Sequence, residues 1–134
     1  MIYFDTDVLI NLLIPQDPAK HQFTKEFYQS VVDQERFFIS QLCILETAFT
    51  LRKLGQPTSD IEAMVDALMA YEPVSSTHDE MKRGLALAKL IGFQNISDCL
   101  HTAIAETHCT ELVTFNKADF KRIQKHTRLK VTIL

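Results

Sequence analysis

Acidic side chains recur where neighbouring residues prepare for an apolar interior. Ile2, Tyr3 and Phe4 read as a strand buried on both faces, yet Asp5 follows at once and Asp7 two positions later. Glu46 stands in "QLCILETAFTL" beside Leu42, Leu45 and Phe49, whose spacings of three and four mark an apolar helix face. Asp98 opens a helix in "SDCLHTAIAETH", and "LVTFNKADF" sets Thr114 and Asn116 at the exit of another strand with Asp119 in the following helical turn. Each acid has a local explanation: Asp5 as a cap, Asp7 and Asp98 through attraction to a helix N-terminus, Glu46 as an edge residue, and Asp119 as part of an Asn116 capping arrangement. Asp7 needs nothing more. Asp5, Glu46, Asp98 and Asp119 together have a joint explanation as a metal cluster. Crowded carboxylates take up protons unless cations neutralise them, and an all-oxygen donor set favours Mg²⁺ or Mn²⁺, one ion or two, over zinc. The chemistry of such clusters is water attack on phosphodiesters.

These acids need a scaffold that brings distant segments together. Strands are expected at Ile2–Phe4, in "RFFIS", "PVSS", "ELVTF" and "KVTIL"; helices alternate with them over 6–14, 18–34, 41–54, 60–71, from Thr77 to Gly92, from Ser97 through His108, and from Lys117 to about His126. Ser40 and Asn116 are expected N-caps. Ser59-x-x-Glu62 and Thr77-x-x-Glu80 have capping-box spacing, and Ser97 is placed to cap the helix bearing Asp98. Alternating strands and helices imply βαβ crossovers and an α/β sandwich around a largely parallel sheet, with ligands gathering beyond the strands' carboxyl ends. Asp5 lies at such an end.

A chain of 134 residues fits one domain, spanning 1–134. No apolar run approaches the ~20 residues of a membrane span, and no signal-peptide pattern opens the chain, so the cytoplasm is the expected compartment. Cys43, Cys99 and Cys109 lack C-x-x-C spacing and read as core thiols. The net charge of −3 conceals an asymmetry: residues 115–134 carry six basic side chains and one acid, residues 1–114 eight and sixteen. Lys117, Lys121, Arg122 and Lys125 recur on the last helix next to Asp119, an expected contact surface for RNA phosphates. His101, one turn beyond Asp98, is expected to be structural.

The chain resembles the PIN-domain ribonucleases, most closely the VapC-type toxins of toxin–antitoxin pairs. The resemblance rests on "IYFDTDVLI", the Glu of "SQLCILETAF", "ISDCLHTAIA" and "LVTFNKADFKRI", in the family's order and at about its spacing. It implies an acidic quartet at Asp5, Glu46, Asp98 and Asp119 supported by Thr114 and Asn116. It further implies a three-layer sandwich with a five-stranded parallel sheet, Mg²⁺ or Mn²⁺ dependence, RNA as substrate, a small antitoxin whose helix fills an apolar groove, and a homodimer. Many relatives carry an acid where Asn116 stands, so a second ion would be held more loosely here. Two rivals share these features: a haloacid-dehalogenase-like phosphatase with Asp5 as nucleophile and Asp7 as general acid, and a PIN module that binds a partner without cutting.

Overall fold

The computed structural model describes all 134 residues. Its elements run β1 (Ile2–Phe4), α1 (Thr6–Leu13), α2 (Pro18–Asp33), β2 (Phe37–Phe38), α3 (Gln41–Lys53), α4 (Thr58–Met69), α5 (His78–Ile91), α6 (Ile96–His108), β3 (Glu111–Thr114), α7 (Lys117–Ile123) and β4 (Lys130–Ile133). Single 3₁₀ turns, Phe93–Asn95 and Gln124–His126, precede α6 and follow α7.

Four parallel strands lie in the order β2-β1-β3-β4, with Ile2 opposite Phe37 and Glu111, and Glu111 opposite Lys130. The fifth expected strand is reduced to one bridge, Ser40 with Val74. Pro73 brings no N–H to a ladder, and Ser75 and Ser76 are exposed on the way to the Thr77 cap, so pairing stops at Val74. The alternating faces of β1 build two layers of core. Phe4 packs on Phe27, Tyr28 and Phe37, while Tyr3 points the other way, toward Ser40, Cys43 and His101. Helices therefore cover both sides of the sheet, as parallel sheets require.

Several local signals act as their chemistry dictates. Ser40 accepts from the N–H of Cys43, and Thr77 and Glu80 close a reciprocal capping box at 2.8 and 3.2 Å. α5 ends at Gly92, whose φ of 126° is open to glycine alone; a Cβ there would collide with the Gln94 side chain.

Other expectations are corrected. α4 starts at Thr58 because Pro57, with φ −63° and ψ 148°, breaks the chain there; Ser59 and Glu62 lie inside the helix and form no box. α6 starts one residue before Ser97, with Asn95 at the cap and no side-chain bond. On α3, the buried face is Cys43, Ile44, Thr47 and Leu51, and Leu45 and Phe49 are 69% and 67% exposed. Both sets have helical spacing; contact of Cys43 with Tyr3 and Phe4 decides which one turns inward.

Candidate metal centre at the carboxyl ends of the sheet

The chain leaves β1 to one side for β2 and reaches β3 on the other, so the strand order reverses between β1 and β3, the place where open parallel sheets form a crevice. A cleft of about 430 Å³ lies there, its walls including Asp5, Thr6, Asp7, Glu46, Asp98 and Asn116. Asp5 caps α1, accepting from the Thr6 N–H at 2.8 Å, and its second oxygen accepts from Thr114 Oγ1 at 2.8 Å. Thr114, at the end of β3, thus ties together the two central strands at their exits.

Glu46 enters from α3 on an intricately constrained side chain: its Oε2 accepts from Thr6 Oγ1 and His101 Nε2, both at 2.7 Å, and its Oε1 accepts from Ser97 Oγ. Behind it, His101 Nδ1 meets Tyr3 Oη at 2.6 Å, and Tyr3 Oη meets Ser40 Oγ at 2.7 Å. A carboxylate offers about four lone-pair sites, so three are in use and one remains on Oε1.

The charges divide into two kinds. Burial pushes the Glu46 carboxyl up, but the His101 hydrogen bond and charge, with Ser97 and Thr6, outweigh it and bring the pKa down to about 2. Burial likewise opposes a charged His101; the Tyr3 and Cys43 side chains on one edge and Glu46 on the other raise it well above the usual histidine value. Glu46 and His101 are therefore a compensated pair. The aspartates are not compensated. Burial raises Asp5; burial and the Asp5 charge push Asp7 up to about 7; burial, then Asp5 and Asp119, push Asp98 up to about 6.

Asp119 differs from the other members of the expected quartet. It does not line the cleft. Its Oδ2 accepts from Asn116 Nδ2 at 2.9 Å, its Oδ1 receives Arg122 at 3.3 Å, and these partners lower its pKa, Asn116 first. Its charge still reaches Asp98. Asn116 lines the cleft and caps α7 through the Asp119 N–H.

An all-oxygen donor set with one buried and two half-buried carboxyls held above their ordinary range fits Mg²⁺ or Mn²⁺ by chemistry and by charge. No three acidic, histidine or cysteine side chains are spaced as a closed cage. Asp7, for which local helix electrostatics is the sequence explanation, is a wall of the cleft, accepting from the Phe115 N–H at 3.1 and 3.2 Å. Its signal was the two-residue interval from Asp5 across the strand-to-helix junction. Of the residues that hold Glu46, Thr6 carried no signal beyond its hydroxyl, and Ser97 read as a helix cap.

The basic residues of α7 also separate. Lys117 and Lys121 are exposed. Arg122, exposed as well, donates to Ile91 O at 2.9 Å and Asn95 Oδ1 at 2.8 Å as well as to Asp119. Lys125 lines a different depression altogether.

His101→Leu should destabilise the chain by about 3–5 kcal/mol, because it leaves the Glu46 charge without its cation and Tyr3 without its partner. His101→Gln, whose amide nitrogen can reach Glu46, should lose roughly half of that or less. Urea unfolding measures both; a His101→Leu midpoint equal to wild type would show that these bonds carry no weight.

A family model described as PIN domain matches residues 2–126. No curated protein matches the chain. Among solved structures, the fold is similar to that of a chain in the crystal structure of VapBC2 from Rickettsia felis bound to a DNA fragment from their promoter, with TM-score 0.71 and 17% identity over 100% of this chain and 99% of that one.

Proposed function

The chain belongs to the PIN-domain family, and from that membership and the acidic cleft we propose that it is a Mg²⁺- or Mn²⁺-dependent endoribonuclease, the toxin of a toxin–antitoxin pair. The observation that carries this reading is the set of uncompensated aspartates in a cleft at the carboxyl ends of β1 and β3: Asp5, buried, and Asp7 and Asp98, half-buried. A bound divalent ion would supply an activated water and stabilise charge on the leaving oxygen. Asp5 and Asp98 would hold it, with Asp7 beside them and Asp119 at the margin. Glu46, oriented by Thr6, Ser97 and His101, presents its one open Oε1 position to the cleft, and Thr114 keeps Asp5 in place. Lys117 and Lys121 on the adjoining face of α7 would attract the phosphates that the acids repel.

The phosphatase reading is weaker on one specific point: it needs a lysine at the site, and no lysine or arginine lines the cleft. Partner contacts belong to the same proposal. A small antitoxin and a second copy of the chain would find apolar surface at Phe23 and Met69 on α2 and α4, and at Leu45 and Phe49 on α3. No helix is long and apolar enough to cross a membrane.

The test is labelled RNA incubated with the chain and Mn²⁺, with EDTA, and with Glu46→Gln protein. Cleavage should require the metal and fall on the order of 10²-fold in the variant, since replacing one oriented carboxylate by a neutral amide of the same shape is worth a few kcal/mol. Cutting that persists in EDTA and in Glu46→Gln would refute the reading; phosphomonoester hydrolysis nearly unaffected by Glu46→Gln would establish the phosphatase instead.

A further inference from the structure

A second depression, of about 820 Å³, lies at the opposite end of the sheet. Thr110 precedes β3 and Thr127 to Leu129 precede β4, so it opens at the strands' amino ends, whereas the acidic cleft opens at their carboxyl ends. Arg83, Lys125, His126 and Arg128 line it, and Glu106 is its one acid. That acid is already neutralised: Arg83 grips both its oxygens at 2.9 Å, and Thr127 donates to it at 2.7 Å. Arg83 also donates to His126 O at 2.8 Å, so it builds the wall. Lys125 and Arg128 are exposed and have no ion-pair partner, which leaves them free to meet an anion.

The last helix and its turn lead from one depression toward the other. α7 starts beside the acidic cleft at Asn116 and carries Lys117 and Lys121, both exposed, and the 3₁₀ turn that follows it carries Lys125, also exposed, in the wall of the second depression. From Lys117 to Lys125 the rise is about 13 Å, with roughly 1.5 Å per residue to Ile123 and roughly 2.0 Å in the 3₁₀ turn, the length of about four phosphates in a stacked single strand at roughly 3.4 Å each. A small anion would have no use for such a line of charges, and an acidic protein segment would not need it to end at the acidic cleft. We propose that the groove at Lys125 and Arg128 is a distal phosphate-binding site for single-stranded RNA, reached along the lysines of α7, and that it engages the strand several nucleotides from the bond being cut. This extends the ribonuclease reading and rests on it only for the cutting; binding is separable.

The experiment compares wild type with Lys125→Ala/Arg128→Ala, using fluorescein-labelled single-stranded RNA of 4 and 12 nucleotides from 50 to 200 mM salt in chelator, where no cutting is expected. Losing two phosphate contacts should reduce the slope of log affinity against log salt for the 12-mer by about 1.4. In Mn²⁺, the advantage of the 12-mer over the 4-mer in kcat/KM should shrink about threefold to tenfold. An unchanged salt slope, or no 12-mer binding by wild type, overturns the proposal. Polyglutamate that binds wild type more tightly than the 12-mer also overturns it, in favour of an acidic protein partner. A reduced slope with no cleavage in Mn²⁺ leaves the groove standing and removes the nuclease reading instead.

Discussion

Asp98→Asn is expected to lose on the order of 10³-fold of its RNA cleavage and, in chelator at pH 7.5, to melt about 5–10 °C above the wild-type chain. The two effects have one cause. Burial and the charges of Asp5 and Asp119 push the Asp98 carboxyl up to about 6, so the folded chain at neutral pH holds an anion that it disfavours. Relative to an ordinary aspartate near 3.9, that is roughly 3 kcal/mol of instability, and an uncharged amide of the same shape removes it. For a chain of 134 residues this corresponds to several degrees. Cleavage moves oppositely, because a lost metal ligand removes several kcal/mol of transition-state stabilisation. Cleavage assays and thermal melts of one preparation check both outcomes. A variant that melts below wild type in chelator would show that Asp98 serves folding.

The second large effect is on the pH dependence of stability. Asp98 and Asp7 have folded pKa values of about 6 and about 7, both above their unfolded values. Below pH 4 these groups are protonated in either state and carry no penalty. Between pH 4 and pH 7 the unfolded chain ionises first, so folding stability falls as pH rises, and above pH 7 the penalty is complete. Metal-free protein should therefore be more stable at pH 5 than at pH 7.5, by several kcal/mol before other groups are counted. Saturating Mn²⁺ should raise the melting temperature markedly at pH 7.5 and little at pH 5, since only ionised carboxylates ligate. Calorimetric scans at the two pH values, with Mn²⁺ and with EDTA, give the comparison. Equal Mn²⁺ stabilisation at both would place the ion elsewhere.

What was legible in the chain followed the range of the interactions involved. The capping box at Thr77 and Glu80, the Ser40 and Asn116 caps and the stop at Gly92 depend on atoms within four residues, and they form as read. Asp5 and Glu46 stood out because each sat against an apolar pattern, Asp98 only through its recurrence with them at a helix start, and all three line one cleft. Failures came where two local readings were equally good and a distant contact chose between them. α3 had two apolar stripes, and packing against β1 turned Leu45 and Phe49 outward. Ser97 had the chemistry of a cap, but Glu46, 51 residues away, claimed its hydroxyl. Asp7 was explained by its own helix, and only the arrival of β3, bringing the Phe115 N–H, shows it facing Asp5 across the crevice. The fifth strand had the composition of one, but Pro73 brings no donor and Ser75 and Ser76 turn to solvent, which leaves a single bridge at Val74.

The line of bonds from Ser40 through Tyr3 and His101 to Glu46 means that this carboxylate is immobilised from the interior rather than by whatever occupies the crevice. The rotamer freedom of a glutamate, worth up to about 2 kcal/mol, has already been surrendered when the chain folds. An incoming cation or strand thus meets a preorganised oxygen, and any adjustment on arrival falls to the shorter aspartates around it. Drift in the first β-strand and drift in the acidic crevice are for that reason not independent: a change at Tyr3, sealed in the hydrophobic interior, would be felt by an acid 43 residues further along.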